Sequence, residues 1–209
     1  MRINIHAGHN PDGMTACGAV GLIRESTEAR AVKDRVVAQL TAMGHTVHDC
    51  TCNNGTGKQD VLKRIAAACN AHAVDLDVSI HFNAAANPEP DGKTTGTEVL
   101  VYDNASPAVP WAQQIADSIA ALGYRNRGVK ERPNLYVLKH TKAPALLIEC
   151  CFVDDPDDVH RAACGGRHAD IRYLGKRDCS TVYLGVWLWQ VGAGSAGTEP
   201  GRDESGAVW

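Results

Sequence analysis

The sequence has no excess of positive charge, no long apolar run and no paired cysteine motif, and each absence removes a class of function. Lysine and arginine total 21 against 24 aspartates and glutamates, for a formal net charge of -3. A chain that grips nucleic acid phosphates needs the opposite balance. No stretch approaches the roughly 20 apolar residues of a membrane-spanning helix, and the N-terminus lacks the charged-then-apolar profile of a secretory signal. The expectation is synthesis in the cytoplasm without a signal peptide, no nucleic acid partner and no membrane span. The eight cysteines, at 17, 50, 52, 69, 150, 151, 164 and 179, show no C-x-x-C spacing. The nearest pairs, Cys50 with Cys52 and Cys150 with Cys151, read as small apolar residues on or beside strands in a reducing compartment.

What is present is periodicity. With 209 residues, 44% of them hydrophobic, the chain is long enough for one domain with its own core. "RINIH" at 2–6 alternates like a strand and breaks at Gly8. From Arg24 the period lengthens: Ala29, Val32, Val36, Leu40 and Met43 recur at three and four, and Gly44 follows as a helix stop. "HTVHDC" reads as a short strand. A second helix fits 60–72, with Val61, Ile65, Cys69 and His72 on one side. "DLDVSIHF" alternates as a strand with Ser79 and His81 pointing outward, and "GTEVLVYD" at 96–103 is another. "SPAVPWAQQIADSIAALG" is a helix with a serine cap, an early proline and Trp111, Ile115, Ile119 and Leu122 in register. "LYVLKH" and "APALLIEC" supply two more strand candidates, the second apolar enough for mid-sheet. Asp155-Pro156 starts a helix, and "STVYLGVWLWQV" forms a last one. Strands alternating with helices imply an α/β fold around a largely parallel sheet. From Gly192 the chain is small, polar and aperiodic, which divides it into a domain over 1–191 and a flexible tail or linker stub over 192–209.

Ligands and catalytic groups in an open α/β sheet gather where strands end, because side chains there emerge into loops. Three expected strands carry such groups: "HAGHN" after the first, His81 in "SIHFNA", and Glu149 closing "ALLIEC". A carboxylate after four apolar residues must be paired, metal-linked or poised in a cleft. A hydrolytic zinc site needs three protein ligands, an open position for water and a nearby unligated glutamate to move protons. A histidine of "HAGHN", His6 or His9, with His81 and Glu149 provides much of that set, and Glu25 and Glu28, at the start of the first helix, both qualify as the remaining ligand.

The ordered segments "INIHAGHN", "GLIRESTEAR", "VSIHFNAA", "GTEVLVY" and "NRGVKERPNLYVLKHTKAPALLIECCFVDDPDD" resemble the type-three family of N-acetylmuramoyl-L-alanine amidases, especially compact endolysin catalytic domains of phage and prophage. The match covers most of residues 2–190. The resemblance implies a six-stranded mixed, mostly parallel sheet flanked by helices on both faces, and Zn2+-dependent hydrolysis of the amide joining N-acetylmuramic acid to the L-alanine of the stem peptide. Carried over by position, the metal ligands are His9, Glu25 and His81, with Glu28 the neighbouring alternative to Glu25, and Glu149 is the general base and then acid. Arg127 also falls on a family position. Many members carry aspartate where His6 stands and glycine where Asn10 stands, so the first loop is expected to position His9 through different supporting contacts, with His6 structural or supporting. Residues 160–178 match less well, and His45, His48, His72, His140, His160 and His168 read as surface or structural residues.

The implied partner is peptidoglycan, reached at the bacterial cell wall after release, by a chain expected to act as a monomer. Two rivals remain: a zinc peptidase cutting within the stem peptide, since the same chemistry serves any amide, and a wall-binding module that keeps the fold without activity.

Overall fold

In chain order the elements are β1 Arg2–Ala7, α1 Glu25–Ala42, β2 Thr46–Asp49, α2 Lys58–Asn70, β3 Leu76–Asn83, β4 Thr97–Val101, α3 Val109–Ala120, β5 Asn126–Glu131, α4 Tyr136–His140, β6 Ala145–Phe152 and α5 Pro156–Cys164. They come from a computed structural model that describes residues 1–85 and 95–164. The expected helix at 180–191, the tail from 192, His168 and Cys179 lie outside the described residues.

The six strands form one mixed sheet in the order β2-β1-β3-β6-β4-β5. β2, β1, β3 and β6 run parallel to one another, β4 is antiparallel to β6, and β5 is parallel to β4. The carboxyl ends of β1, β3 and β6 therefore share one edge with the amino ends of β4 and β5. α1 packs on β1, β2 and β3, and α3 on β4 and β5, burying Ile5, Val78, Ile80, Val99, Leu146 and Ile148 beneath them. On the other face α2 and α4 enclose Val61, Ile65, Cys69, Leu100, Val137 and Leu147. Helices thus flank both faces of a six-stranded mixed sheet.

α1 follows its sequence signals. Ala29, Val32, Val36 and Leu40 form its buried stripe, Glu25 and Glu28 sit in its first turn where the helix dipole favours negative charge, and Gly44 turns the chain out at a φ of 84°. Helix α2 is displaced by two residues from expectation and ends at Asn70. His72 therefore lies beyond it, exposed and stacked on His48 with ring centroids 3.8 Å apart. Helix α3 starts at Val109 with Pro110 in its first turn and no side-chain cap. Ser106 instead accepts a hydrogen bond from the Ala108 N–H in the turn before it.

Three strand expectations change. "LYVLKH" is the short helix α4, not a strand: Val137 and Leu138 are buried as neighbours, while Tyr136 and His140, one turn apart, stack at 3.9 Å. β5, "NRGVKE", was hidden because an edge strand can be polar throughout, and Gly128 at a φ of 78° interrupts its alternation. Ser79 does not point to solvent. β3 lies between β1 and β6 under helices on both faces, so Ser79 and Asp77 are buried, Asp77 accepting a 2.6 Å hydrogen bond from Asn4.

α5 begins as its sequence directs. Asp155 Oδ1 accepts the Asp158 N–H at 2.9 Å, and Pro156 occupies the first helical position, where a missing N–H costs nothing. Asp158 is fully buried and accepts hydrogen bonds from Thr95 Oγ1, Gly96 N and Phe152 N, tying the start of β4 to the end of β6. Truncating it orphans these buried donors. Asp158→Ala is expected to lower the unfolding free energy by about 3 kcal/mol in urea titrations, and Asp158→Asn, which keeps an acceptor, by less.

Candidate metal centre and active site

Three separated segments meet at one carboxylate. β1 ends at Ala7 and delivers His9 from the loop that follows, α1 opens with Glu25, and β3 carries His81 near its carboxyl end. Glu25 Oε1 lies 2.9 Å from His81 Nδ1 and 3.2 Å from His9 Nε2, and the three donor atoms fall within 4.8 Å of one another. Ligand atoms about 2.0–2.1 Å from a tetrahedral zinc stand about 3.3 Å apart, so two imidazoles and a carboxylate at this spacing suit such an ion. Glu28, one turn further along α1, is outside the cluster.

The backbone is shaped around these side chains. A Cβ at Gly8 would sit 2.0 Å from His81 Cε1, and one at Gly18, whose φ is 84°, would sit 2.5 Å from Glu25 Oε2. His9 itself adopts a φ of 62°, a left-handed conformation uncommon for a residue with a Cβ. Arg30, on α1, compensates: its guanidinium donates to the carbonyls of His9 at 2.9 Å, Ser26 at 3.1 Å and Cys52 at 3.1 Å. Asn10 is fully buried and bridges the carbonyls of Thr15 and Gly55, each at 2.7 Å, which pins the His9 loop to the segment before α2. The Ala19 N–H donates to Glu25 Oε2 at 2.7 Å, so both oxygens of that carboxylate are engaged.

Burial by itself would raise the Glu25 pKa, but the hydrogen bonds to His81 and His9 outweigh it and hold the carboxyl well below the usual range. Glu149 is in the reverse condition. Burial first, then the negative charges of Glu25 and Glu98, push it well above an ordinary glutamate. It stands directly across from His81 in the β3–β6 pairing and from Glu98 in the β4–β6 pairing. Its Oε2 is buried with no hydrogen-bond partner among the described residues. Two carboxyls on one sheet edge thus differ in proton affinity, one ionised and held, the other inclined to carry a proton.

Glu98 is balanced by cations. Arg127 Nε donates to its Oε2 at 2.8 Å, Lys130 Nζ also reaches that oxygen, and the Arg127 guanidinium lies 5.0 Å from the Phe152 ring centroid. Arg127 therefore serves this buried carboxylate. His6 is enclosed in β1, with Nδ1 3.4 Å from Ser79 Oγ, and burial together with the nearby His81 charge pushes it down to about 3. It stays outside the cluster, as do His45, His48, His72 and His140.

Sequence reasoning missed Arg30 and Glu98 as parts of this site, while Asn10 stood out as a departure in the loop that positions His9. Glu98 was within reach, since "GTEVLV" embeds a carboxylate in an apolar run just as "ALLIEC" does. Arg30 had no such signal, because Arg30 and Arg35 look alike on one helix. The cluster opens into a cleft of about 560 Å³ whose walls include Lys58, Gln59, Leu62, Asn83, Leu100, Arg132, Asn134, Leu135, Tyr136 and Glu149. Such a volume matches a small ligand or a short peptide.

Comparison with known proteins gives this geometry a context. A family model described as N-acetylmuramoyl-L-alanine amidase matches residues 3–164. The chain is 34% identical over 160 residues to an uncharacterized protein of Clostridium perfringens, CPE1502, spanning 76% of this chain and 46% of that one. It is 33% identical over 160 residues to N-acetylmuramoyl-L-alanine amidase LytC of Bacillus subtilis, spanning 76% of this chain and 31% of LytC. The chain thus spans less than half the length of these curated relatives. Among solved structures, the catalytic domain of the CD27L endolysin targeting Clostridia difficile superposes with a TM-score of 0.68 at 27% identity, covering 77% of this chain and 87% of that one. The family model spans β1 through α5, a range that takes in His9, Glu25, His81 and Glu149, and the chain belongs to the N-acetylmuramoyl-L-alanine amidase family, Amidase_3.

Proposed function

We propose that this chain is the catalytic unit of a peptidoglycan hydrolase that cleaves the amide between N-acetylmuramic acid and the L-alanine of the stem peptide. The observation that carries the reading is the convergence of His9, Glu25 and His81 beside a buried glutamate whose Oε2 has no partner among the described residues. The names of LytC and of the endolysin of Bacillus phage SPP1, 33% identical over 98 residues, support the same substrate and action at the cell wall. No helix among the described residues is long and apolar enough to cross a membrane.

In this reading His9, Glu25 and His81 would hold a zinc ion. When bound, zinc supplies Lewis-acid chemistry, polarising the amide carbonyl and making water nucleophilic near neutral pH. The remaining work belongs to the chain. Glu25 keeps its negative charge because its hydrogen bonds favour the ionised form. Glu149 takes a proton from the attacking water as its oxygen bonds to the carbonyl carbon, then gives that proton to the nitrogen as the C–N bond breaks. Burial and neighbouring charge make Glu149 a willing proton carrier between those two steps. The Glu98, Arg127 and Lys130 group keeps a further unbalanced charge from the pair.

Purified protein is expected to bind about one zinc per chain, and chelation should abolish cleavage that added zinc restores. Glu149→Gln is expected to keep zinc affinity while lowering turnover of purified cell wall by roughly 100-fold or more, with products analysed by mass spectrometry. New amino groups on L-alanine are the expected product. Cuts elsewhere in the peptide, or near-full turnover by the variant, overturn the reading. Gly8→Ala, which drives a methyl group into His81, should weaken zinc binding about 10-fold or more by calorimetry while the circular dichroism spectrum is retained.

A further inference from the structure

We infer that the cleft recognises a free carboxylate on the peptide side of the substrate, and that Lys58 and Arg132 supply the positive charge that binds it. The inference rests on the amidase reading and names the substrate class more closely. Within the cleft wall, Glu25 and Glu149 are committed to the metal centre and to proton transfer. The two cations on the wall answer neither of them. The side chain of Lys58, the first residue of α2, makes no hydrogen bond or ion pair with any described residue, and among the described residues the Arg132 guanidinium donates, through Nη1, to the neutral carbonyl of Glu131 at 2.9 Å. Arg127 and Lys130, by contrast, are both spent on Glu98. Both cations are exposed and hydrated, and because neither is paired with a carboxylate of the chain, both are available to an anion that enters beside the reacting centre.

The positions of the two cations fit a peptide. Lys58 also borders the small recess formed by Gly8, His9 and His81, so it lies at the metal end. Arg132 lies further along the same face: its backbone N–H donates to Val101 O, Val101 pairs with Leu146, and Leu146 is three residues before Glu149 on β6. Along β6 this is about 10 Å from Glu149, and two inter-strand spacings add roughly 10 Å sideways, so the two backbones stand about 14 Å apart, the reach of about two extended residues plus an arginine side chain. The same cleft is lined by Leu62, Leu100, Leu135 and Leu147 with Tyr136, suited to the aliphatic parts of a peptide. A carboxylate within the first three residues of the departing peptide therefore falls in range of one cation or both.

The test uses synthetic muramoyl tripeptides, MurNAc-L-Ala-γ-D-Glu-L-Lys against two analogues. One carries a carboxamide in place of the second residue's free carboxylate, and the other a carboxamide at the C-terminus. The wild-type chain is expected to favour the parent by about 10-fold in kcat/KM over one of these analogues, chiefly through KM, and the preference should shrink as salt is raised from 20 mM to about 500 mM. Which analogue is disfavoured identifies the carboxylate that is read. In Lys58→Ala/Arg132→Ala the ratio between parent and analogue should fall to about 1, with Lys58→Arg retaining it. Equal cleavage of all three substrates by the wild-type chain, or an undiminished preference in the double variant, overturns this inference and leaves the amidase reading standing. Failure to cleave any of them overturns the amidase reading and this inference together.

Discussion

Glu25 is where the separated parts of this molecule are joined. One of its oxygens faces His9 and His81, the other accepts the Ala19 N–H, so a single side chain holds together the loop after β1, the start of α1 and the end of β3. A carboxylate can occupy so buried a position only when its charge is answered. Here the answer comes from two imidazoles and a backbone donor, and it explains the cost accepted nearby: a left-handed His9, glycines at 8 and 18 that leave no room for a Cβ, and the Arg30 side chain spent on holding loop carbonyls.

The same sheet edge carries a second carboxyl under opposite rules. Glu149 has no partner for Oε2 among the described residues, and the charges around it are negative, so burial is uncompensated and its affinity for a proton rises. Two glutamates set apart in this way can divide the labour of hydrolysis, one keeping a fixed charge and the other exchanging protons. The arrangement depends on topology. Because β6 runs parallel to β3 and antiparallel to β4, Glu149 is level with His81 on one side and Glu98 on the other, and Arg127 and Lys130 keep the latter from adding a third free charge.

Much of this was legible beforehand wherever a local rule and the tertiary outcome agree. The stripe Ala29, Val32, Val36, Leu40 specifies one helix face whatever it packs on, and "APALLIEC" could hardly lie anywhere but mid-sheet. Legibility failed where context decides. "LYVLKH" has the composition of a strand, yet its place above the sheet beside α2 buries Val137 and Leu138 together, which a strand with alternating faces would separate. β5 is the converse: as the last strand of the sheet, with an exposed edge, it needs little apolar content, and its polarity disguised it. Ser79 misled for a related reason, since alternation implies one wet face and β3 has none.

Sequence alone determined the α/β class, the family resemblance and the identity of the groups able to do chemistry, because backbone periodicity and side-chain acidity are local properties. It left Glu25 and Glu28 both open on residue type and spacing, since consecutive turns of a helix offer equivalent carboxylates. Only the folded chain draws Glu25 into the histidine cluster, where Gly18 leaves room for its carboxylate and the Ala19 N–H donates to it. Only the folded chain, too, gives Lys58 and Arg132 a shared cleft, since 74 positions separate them in sequence and nothing in their neighbours links them. Which side chains exist is written along the chain, but the distances and the solvent exclusion that set their chemistry arise from long-range packing.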